Sequence, residues 1–93
     1  MKRRPPPLLP APTLRDWERA DMAGLMTPIR GLRAILVNAS GSHYEWRVWS
    51  ELETADGHGI VWVVTEVEWW RHQNLAMSPA PVRWPAAAVW VET

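Results

Sequence analysis

The spacing of apolar residues along the chain changes period once, near residue 31. Before it, Leu14, Trp17 and Leu25, with Ala20 or Asp21 between them, recur at helical intervals, while Arg15, Glu18 and Arg19 take the opposite side. Thr13 marks the start of this helix, because its hydroxyl can accept the backbone N–H three residues on and Asp16 there complements the dipole. Gly24 and Pro28 mark its end. Met22 and Met26 add adaptable apolar surface. After Gly31 the pattern becomes that of strands. Leu32 to Val37 is apolar on both sides, which predicts a strand covered on both faces. Asn38 to Ser42 is a turn. His43 to Glu53 then alternates, with Tyr44, Trp46, Val48 and Leu52 on one face and His43, Glu45, Arg47, Glu51 and Glu53 on the other. Ile60 to Trp70 is the returning strand.

Asp56-Gly57 between these two runs is a strong two-residue hairpin signal, since both central positions of a type I′ turn require positive φ. It pairs Ala55 with His58 and thereby sets the register. Leu52 then faces Val61, Val48 faces Thr65, Trp46 faces Val67 and Tyr44 faces Trp69, an almost wholly apolar face that is expected to be core. On the reverse, Trp49 faces Val64 and Glu51 faces Trp62, with Ile60 alongside. Arg47 faces Glu66, Glu45 faces Glu68 and His43 faces Trp70. A half-solvated antiparallel sheet does not leave Trp49, Ile60, Trp62 and Val64 bare, so a cover is required: the N-terminal helix, the C-terminal segment or a partner.

Arg71 to Asn74 ends the strand. Ser78 to Pro81 and Trp84-Pro85 read as an extended connector, because a residue before proline is pushed out of helix. Ala87 to Val91 can form a last strand beside residues 32–37 at a sheet edge. The expected fold is a small single α+β domain over residues 13–93, with an N-terminal helix packed on a three- to four-stranded antiparallel sheet built on a hairpin. Residues 1–12, MKRRPPPLLPAP, form a separate basic arm. Such a sequence favours polyproline II, and Arg4-x-x-Pro7-x-x-Pro10 matches the pattern that aromatic grooves bind.

Composition narrows the function classes. The 93 residues include eight Trp, one Tyr, no Phe and no Cys, which removes disulfides, thiolate metal sites and cysteine nucleophiles. Apolar runs fall far short of the ~20 residues that span a bilayer, so no membrane association is expected. The basic start Lys2-Arg3-Arg4 is followed by prolines where a signal peptide needs an apolar helix, and a cytoplasmic protein is expected. The wealth of Arg, Ala, Gly and Pro reflects G/C-rich codons. Ten basic residues balance ten acidic ones, but unevenly: residues 1–33 carry net +4, residues 34–68 net −5 and the remainder net +1.

Candidate chemistry is sparse. In the proposed register His43, Glu45, Glu68 and His72 crowd one end of a face, where two imidazoles and two carboxylates could bind a divalent ion or act as an acid/base pair. No serine sits in a nucleophile elbow, and no phosphate-cradling glycine loop occurs. A non-enzymatic protein without cofactor or metal is the favoured reading. Basic arm and strand tryptophans could also serve single-stranded nucleic acid, but the acidic hairpin would repel phosphate from the stacking residues. A protein partner with a basic surface meets no such conflict. The candidate docking residues are Trp49, Trp62, Glu45, Glu51, Glu53, Glu66 and Glu68, with Lys2, Arg3 and Arg4 on the arm. A homodimer joined across the same face is an alternative. At class level, a short Cys-free chain with an acidic hairpin resembles the small inhibitors carried by phages and mobile elements, anti-CRISPR proteins among them. That resemblance implies an anti-defence role, exercised by occluding a partner's basic, nucleic-acid-binding surface.

Overall fold

The structure is a computed structural model and describes residues 16–93. The arm at residues 1–12 and the cap expected at Thr13 lie outside the described residues. In chain order the elements are β1 (Trp17–Arg19), α1 (Ala20–Met26), β2 (Arg33–Asn38), β3 (Gly41–Val48), β4 (Glu53–Ala55), β5 (His58–Thr65), α2 (Glu66–Leu75), β6 (Val82–Pro85), a 3-10 turn (Ala86–Ala88) and β7 (Val89–Glu92). All seven strands belong to one curled antiparallel sheet, larger than the three or four strands expected. The hydrogen-bonded order is β1-β7-β2-β3-β5-β4, and β6 lies along the other edge of β5.

The centre of the sheet follows the sequence pattern. Ala34, Ile35 and Leu36 are buried in succession, so β2 is covered on both faces. β7 pairs with it through Ala34–Val91, Ile35–Trp90 and Leu36–Val89, as the last apolar run suggested. The Asp56-Gly57 hairpin forms with Ala55 opposite His58, and both turn residues take positive φ, 53° and 78°. One face of the curl holds the core: Leu36, Val48, Val61, Val63, Val89 and Val91 pack with Ala20, Ala23 and Ile29, and Leu52, Trp46 and Trp84 close its sides.

The N-terminal helix is shorter and starts later than its periodicity predicts. Trp17–Arg19 is a strand, because an unpaired edge of β7 is available to it: Trp17 pairs with Glu92 and Arg19 with Trp90, and Thr93 N–H donates to the Asp16 carbonyl at 2.7 Å. Tertiary pairing overrides local period here. Only Ala20 and Ala23 of α1 are buried, and Leu25, expected on the inner face, is 70% exposed. Gly24 lies within the helix instead of ending it. A Cβ there would stand 2.7 Å from the Leu52 Cβ, so glycine permits α1 to approach the segment before β4.

Two bulges alter the expected register. Near the turn, residues sum in the expected way, but Val48 faces Val63 and Trp46 faces Thr65, a slip of two. The four residues Trp49 to Leu52 oppose only Val61 and Trp62. Trp49 N–H still donates to the Trp62 carbonyl at 2.7 Å, and the Ser50 hydroxyl accepts from Trp62 N–H at 3.0 Å. Because the slip is even, Trp46 and Val48 keep the core face although their partners change. The second bulge lies between β2 and β3, where Ala34 faces Trp46 but Leu36 faces His43. Glu45 absorbs the extra residue in a left-handed conformation, φ 68°. This slip is odd. It turns Tyr44 out of the core, where alternation placed it, and leaves the ring 59% exposed.

The largest departure follows Thr65. The run Ile60 to Trp70 does not continue as a strand; it turns at Thr65 into helix α2. Thr65-Glu66-Val67-Glu68 forms a complete capping box: the Thr65 hydroxyl accepts from Glu68 N–H at 3.1 Å, and a Glu68 carboxylate oxygen accepts from Thr65 N–H at 3.1 Å. Ala76 closes the other end in a left-handed conformation. The ladder pairs Glu45–Glu68, His43–Trp70 and Tyr44–Trp69 therefore do not form. β6 corrects a further expectation, since Val82–Pro85 is a strand paired with Ile60–Val63 and not a connector. Pro85 is accommodated at its end.

Candidate protein-docking face

The cover demanded by Trp49 and Val64 comes from α2, a source absent from the three expected. Val64 is fully buried on the face opposite the core, where α2 packs against β3 and β5. Trp69, 9% exposed, meets Trp49 edge to face at 6.0 Å between ring centres. The Arg30 guanidinium lies over both rings, 4.7 Å from Trp49 and 5.3 Å from Trp69. His72, one helical turn on, stands edge-on to Trp49 at 4.9 Å, and its Nδ1 is 3.1 Å from the Met77 carbonyl. Trp49 is thereby half-buried by its own chain. Trp62 stays half-buried, with its indole N–H donating to Glu53 at 3.3 Å.

The acidic residues of the expected face divide by what they hold. Glu51 accepts the Ile29 and Arg30 backbone N–H groups at 2.7 and 3.3 Å and ties down the loop after α1. Glu66 pairs with Arg47, whose guanidinium also donates to the Gly31 carbonyl at 2.8 Å, and lies 4.0 Å from Arg33. Arg33 in turn pairs with Glu92 at 3.3 Å. Glu68 completes the capping box and also accepts Ala80 N–H at 3.0 Å. That backbone bond, reinforced by Thr65 and opposed by partial burial, holds its carboxyl below the usual carboxylate range. Glu45 and Glu53 remain exposed on β3 and β4.

No family model, curated protein or solved structure matches this chain. Its surface must therefore be read from geometry alone.

The four residues of the metal or acid/base reading are not brought together. His43 lies in the β2–β3 hairpin, with Nε2 3.0 Å from the Asn38 side-chain oxygen and the ring edge-on to Trp84. Glu45 occupies the bulge, Glu68 the start of α2 and His72 its last turn. Among the described residues no cluster of three or more His, Asp or Glu is placed to hold a metal ion.

What the described surface does expose is a second aromatic area, formed on the outer side of β1, β7, β2 and β3. Trp90 pairs across β7–β2 with Ile35 and is 39% exposed. Ile35, Trp17, Tyr44 and Trp46 line a depression of about 240 Å³, with Arg33 and Glu45 at its rim. Glu45 is shared with a wider depression of about 640 Å³ against α2, walled by Val67, Trp70 and Leu75. Val67, Trp70 and Leu75 are 57%, 48% and 66% exposed. Sequence reading missed this face because its two determinants are the odd bulge at Glu45 and the helix at Glu66. The capping-box spacing Thr65-x-x-Glu68 was the signal that could have found the second.

Proposed function

We propose that this protein is a non-enzymatic binding protein that docks on a partner protein through the aromatic outer face of its sheet and α2. Its mechanism is steric and electrostatic occlusion of a basic surface on that partner, the mode of a small inhibitor encoded by a phage or mobile element in an anti-defence role. The observation that carries the reading is the exposure of Tyr44 and Trp70 in two depressions that share Glu45, with Trp90 exposed on β7 opposite Ile35. Large aromatics dominate interface energetics, and Glu45, which lines both depressions, offers a carboxylate to a basic group of the partner. Residues 16–93 carry ten acidic side chains against six arginines, net −4, which supports a protein partner over phosphate. Glu51, Glu66 and Glu68, offered by the sequence for partner contact, are committed to holding the loop at Ile29, the Arg47 ion pair and the α2 cap.

The test begins with capture of the partner from the native host and proceeds to affinity measurement. Tyr44→Ala and Glu45→Lys, both at exposed positions, are expected to raise Kd at least ~10-fold, which corresponds to about 1.4 kcal/mol. Unchanged affinity in both variants rejects the face.

A further inference from the structure

We propose that a cavity of about 710 Å³ between the β4–β5 turn and β6 binds a zwitterion of dipeptide size with apolar side chains. The cavity shares no lining residue with either depression of the docking face, and the inference does not rest on that face.

Four segments build the site: the first turn of α1, the Asp56-Gly57 turn, β6 and the 3-10 turn after it. Their close approach depends on Gly59. A Cβ there would stand 3.3 Å from Leu52 Cδ1 and 3.5 Å from Ala86 Cβ, so a side chain would press the hairpin away from the 3-10 turn. Ile60, Trp84 and Pro85 give the cavity an apolar wall. Trp84 is fixed in place by its indole N–H, which donates to the Val37 carbonyl at 3.3 Å. The volume falls within the ~300–1,000 Å³ of small-ligand sites, which combine such walls with a few convergent polar groups.

The charged side chains decide the class of ligand. Asp21 is already engaged, accepting two hydrogen bonds from Arg19 at 3.0 and 2.6 Å. Asp56 and Arg83 line the same cavity, yet neither forms an ion pair with the other or with any other described residue. Two opposite charges thus face one space from more than 4.0 Å apart. A purely anionic ligand would suit Arg83 but be repelled by Asp56 and Asp21, and a purely cationic one would be repelled by Arg83. A molecule bearing both charges suits both: its carboxylate accepts from the Arg83 guanidinium and its ammonium donates to the Asp56 carboxylate. The ends of an extended dipeptide are roughly 7 Å apart, enough to bridge side chains that do not reach each other. His58, on the same wall, supplies a ring nitrogen for the peptide group between them, and apolar side chains cover Ile60, Trp84 and Pro85.

The test titrates leucyl-leucine into the isotopically labelled full-length chain and follows amide and indole resonances. Saturable shifts are expected at Gly57, Gly59, Ile60 and the Trp84 indole N–H, with a Kd of about 1 mM or tighter. N-acetyl-leucyl-leucine lacks the ammonium and leucyl-leucine amide lacks the carboxylate, so each should bind at least ~10-fold more weakly. Asp56→Asn and Arg83→Gln, both at exposed positions, should weaken leucyl-leucine by the same factor, with the Ala34 to Leu36 resonances reporting the intact sheet. Asn-Gly is itself a favoured type I′ pair, so the first variant keeps the turn. Absence of saturable shifts up to about 10 mM overturns the proposal, as do shifts centred away from those four residues. Unchanged affinity for either blocked form, or in either variant, overturns the bridging of Asp56 and Arg83.

Discussion

Replacing Trp69 by Ala removes the side chain that seals the outer face of the sheet. A tryptophan buries roughly 200 Å², worth up to ~5 kcal/mol at about 25 cal/mol per Å². A compact denatured chain already hides about 10–40% of that area, which leaves ~3–4.5 kcal/mol. The range agrees with the ~3–5 kcal/mol typical of large aromatic truncations in cores. Trp69 is 9% exposed and contacts Trp49 and Arg30, so most of the amount should be lost. Folding stability for a chain of 93 residues is of order 5–14 kcal/mol, so the variant is expected to fold with a reduced margin. For a urea m value near ~1.5 kcal/mol/M, the midpoint should fall by about 2–3 M. Trp49 and Val64 would gain solvent exposure, and the variant should bind more of a hydrophobic dye than the parent. Val67→Ala, two residues earlier on the helix and 57% exposed, is the matched control and should change stability by no more than ~0.5 kcal/mol. A loss below about 1 kcal/mol for Trp69→Ala, or no difference from Val67→Ala, refutes the role of α2 as cover.

Thr65→Ala removes the N-cap hydroxyl of α2 and should cost about 1 kcal/mol in denaturant unfolding, whereas Thr65→Ser should be nearly neutral. In an exposed helix interior Gly→Ala stabilises by about 1 kcal/mol, but Gly24→Ala should lower the melting temperature, because its Cβ would stand 2.7 Å from that of Leu52. A higher melting temperature contradicts that close packing. The carboxyl of Glu68 is held below its ordinary value of 4.5, chiefly by the Ala80 N–H. A group with a depressed folded-state value binds its proton more readily in the unfolded chain, so its contribution is present above pH 4.5 and disappears as pH falls through the lower folded value. Glu68→Gln should therefore flatten the fall in stability on the acid side of that pH, and an unchanged slope contradicts the assignment.

Sequence reading succeeded where structure is local or apolar on both sides. Asp56-Gly57 specifies its turn through φ alone, and the run Ala34-Ile35-Leu36 can only be a covered strand or a buried helix. The last apolar run does pair with residues 32–37, but inside the sheet between β1 and β2 and not at its edge. Sequence reading failed where a choice depended on distant partners. Trp17 to Arg19 has a helical period and becomes a strand because β7 offers it an open edge. The bulges at Trp49–Leu52 and Glu45 leave no alternation signal, since an even slip preserves faces and an odd one looks like a single misplaced aromatic. Thr65 to Trp70 alternates like a strand, but the Thr65-x-x-Glu68 capping box starts a helix there. Of the residues the sequence offers for docking, Glu51, Glu66 and Glu68 are engaged by hydrogen bonds or an ion pair within their own chain, and Trp49 packs against a helix that occupies the sequence of an expected strand.

The pairing of β7 between β1 and β2 also sets an order of events during synthesis. β7 is made after the other six strands, yet among the described residues it is the only bridge between β1 and β2. Until residues 89–92 clear the ribosome, the edge of β2 stays unpaired, with Ile35 and its neighbours open to solvent. Contacts between residues some 55 to 75 positions apart must then close in a single late step, which topology makes slow. Before that step the nascent chain presents an open β2 edge that the same edge of another copy can take in place of β7.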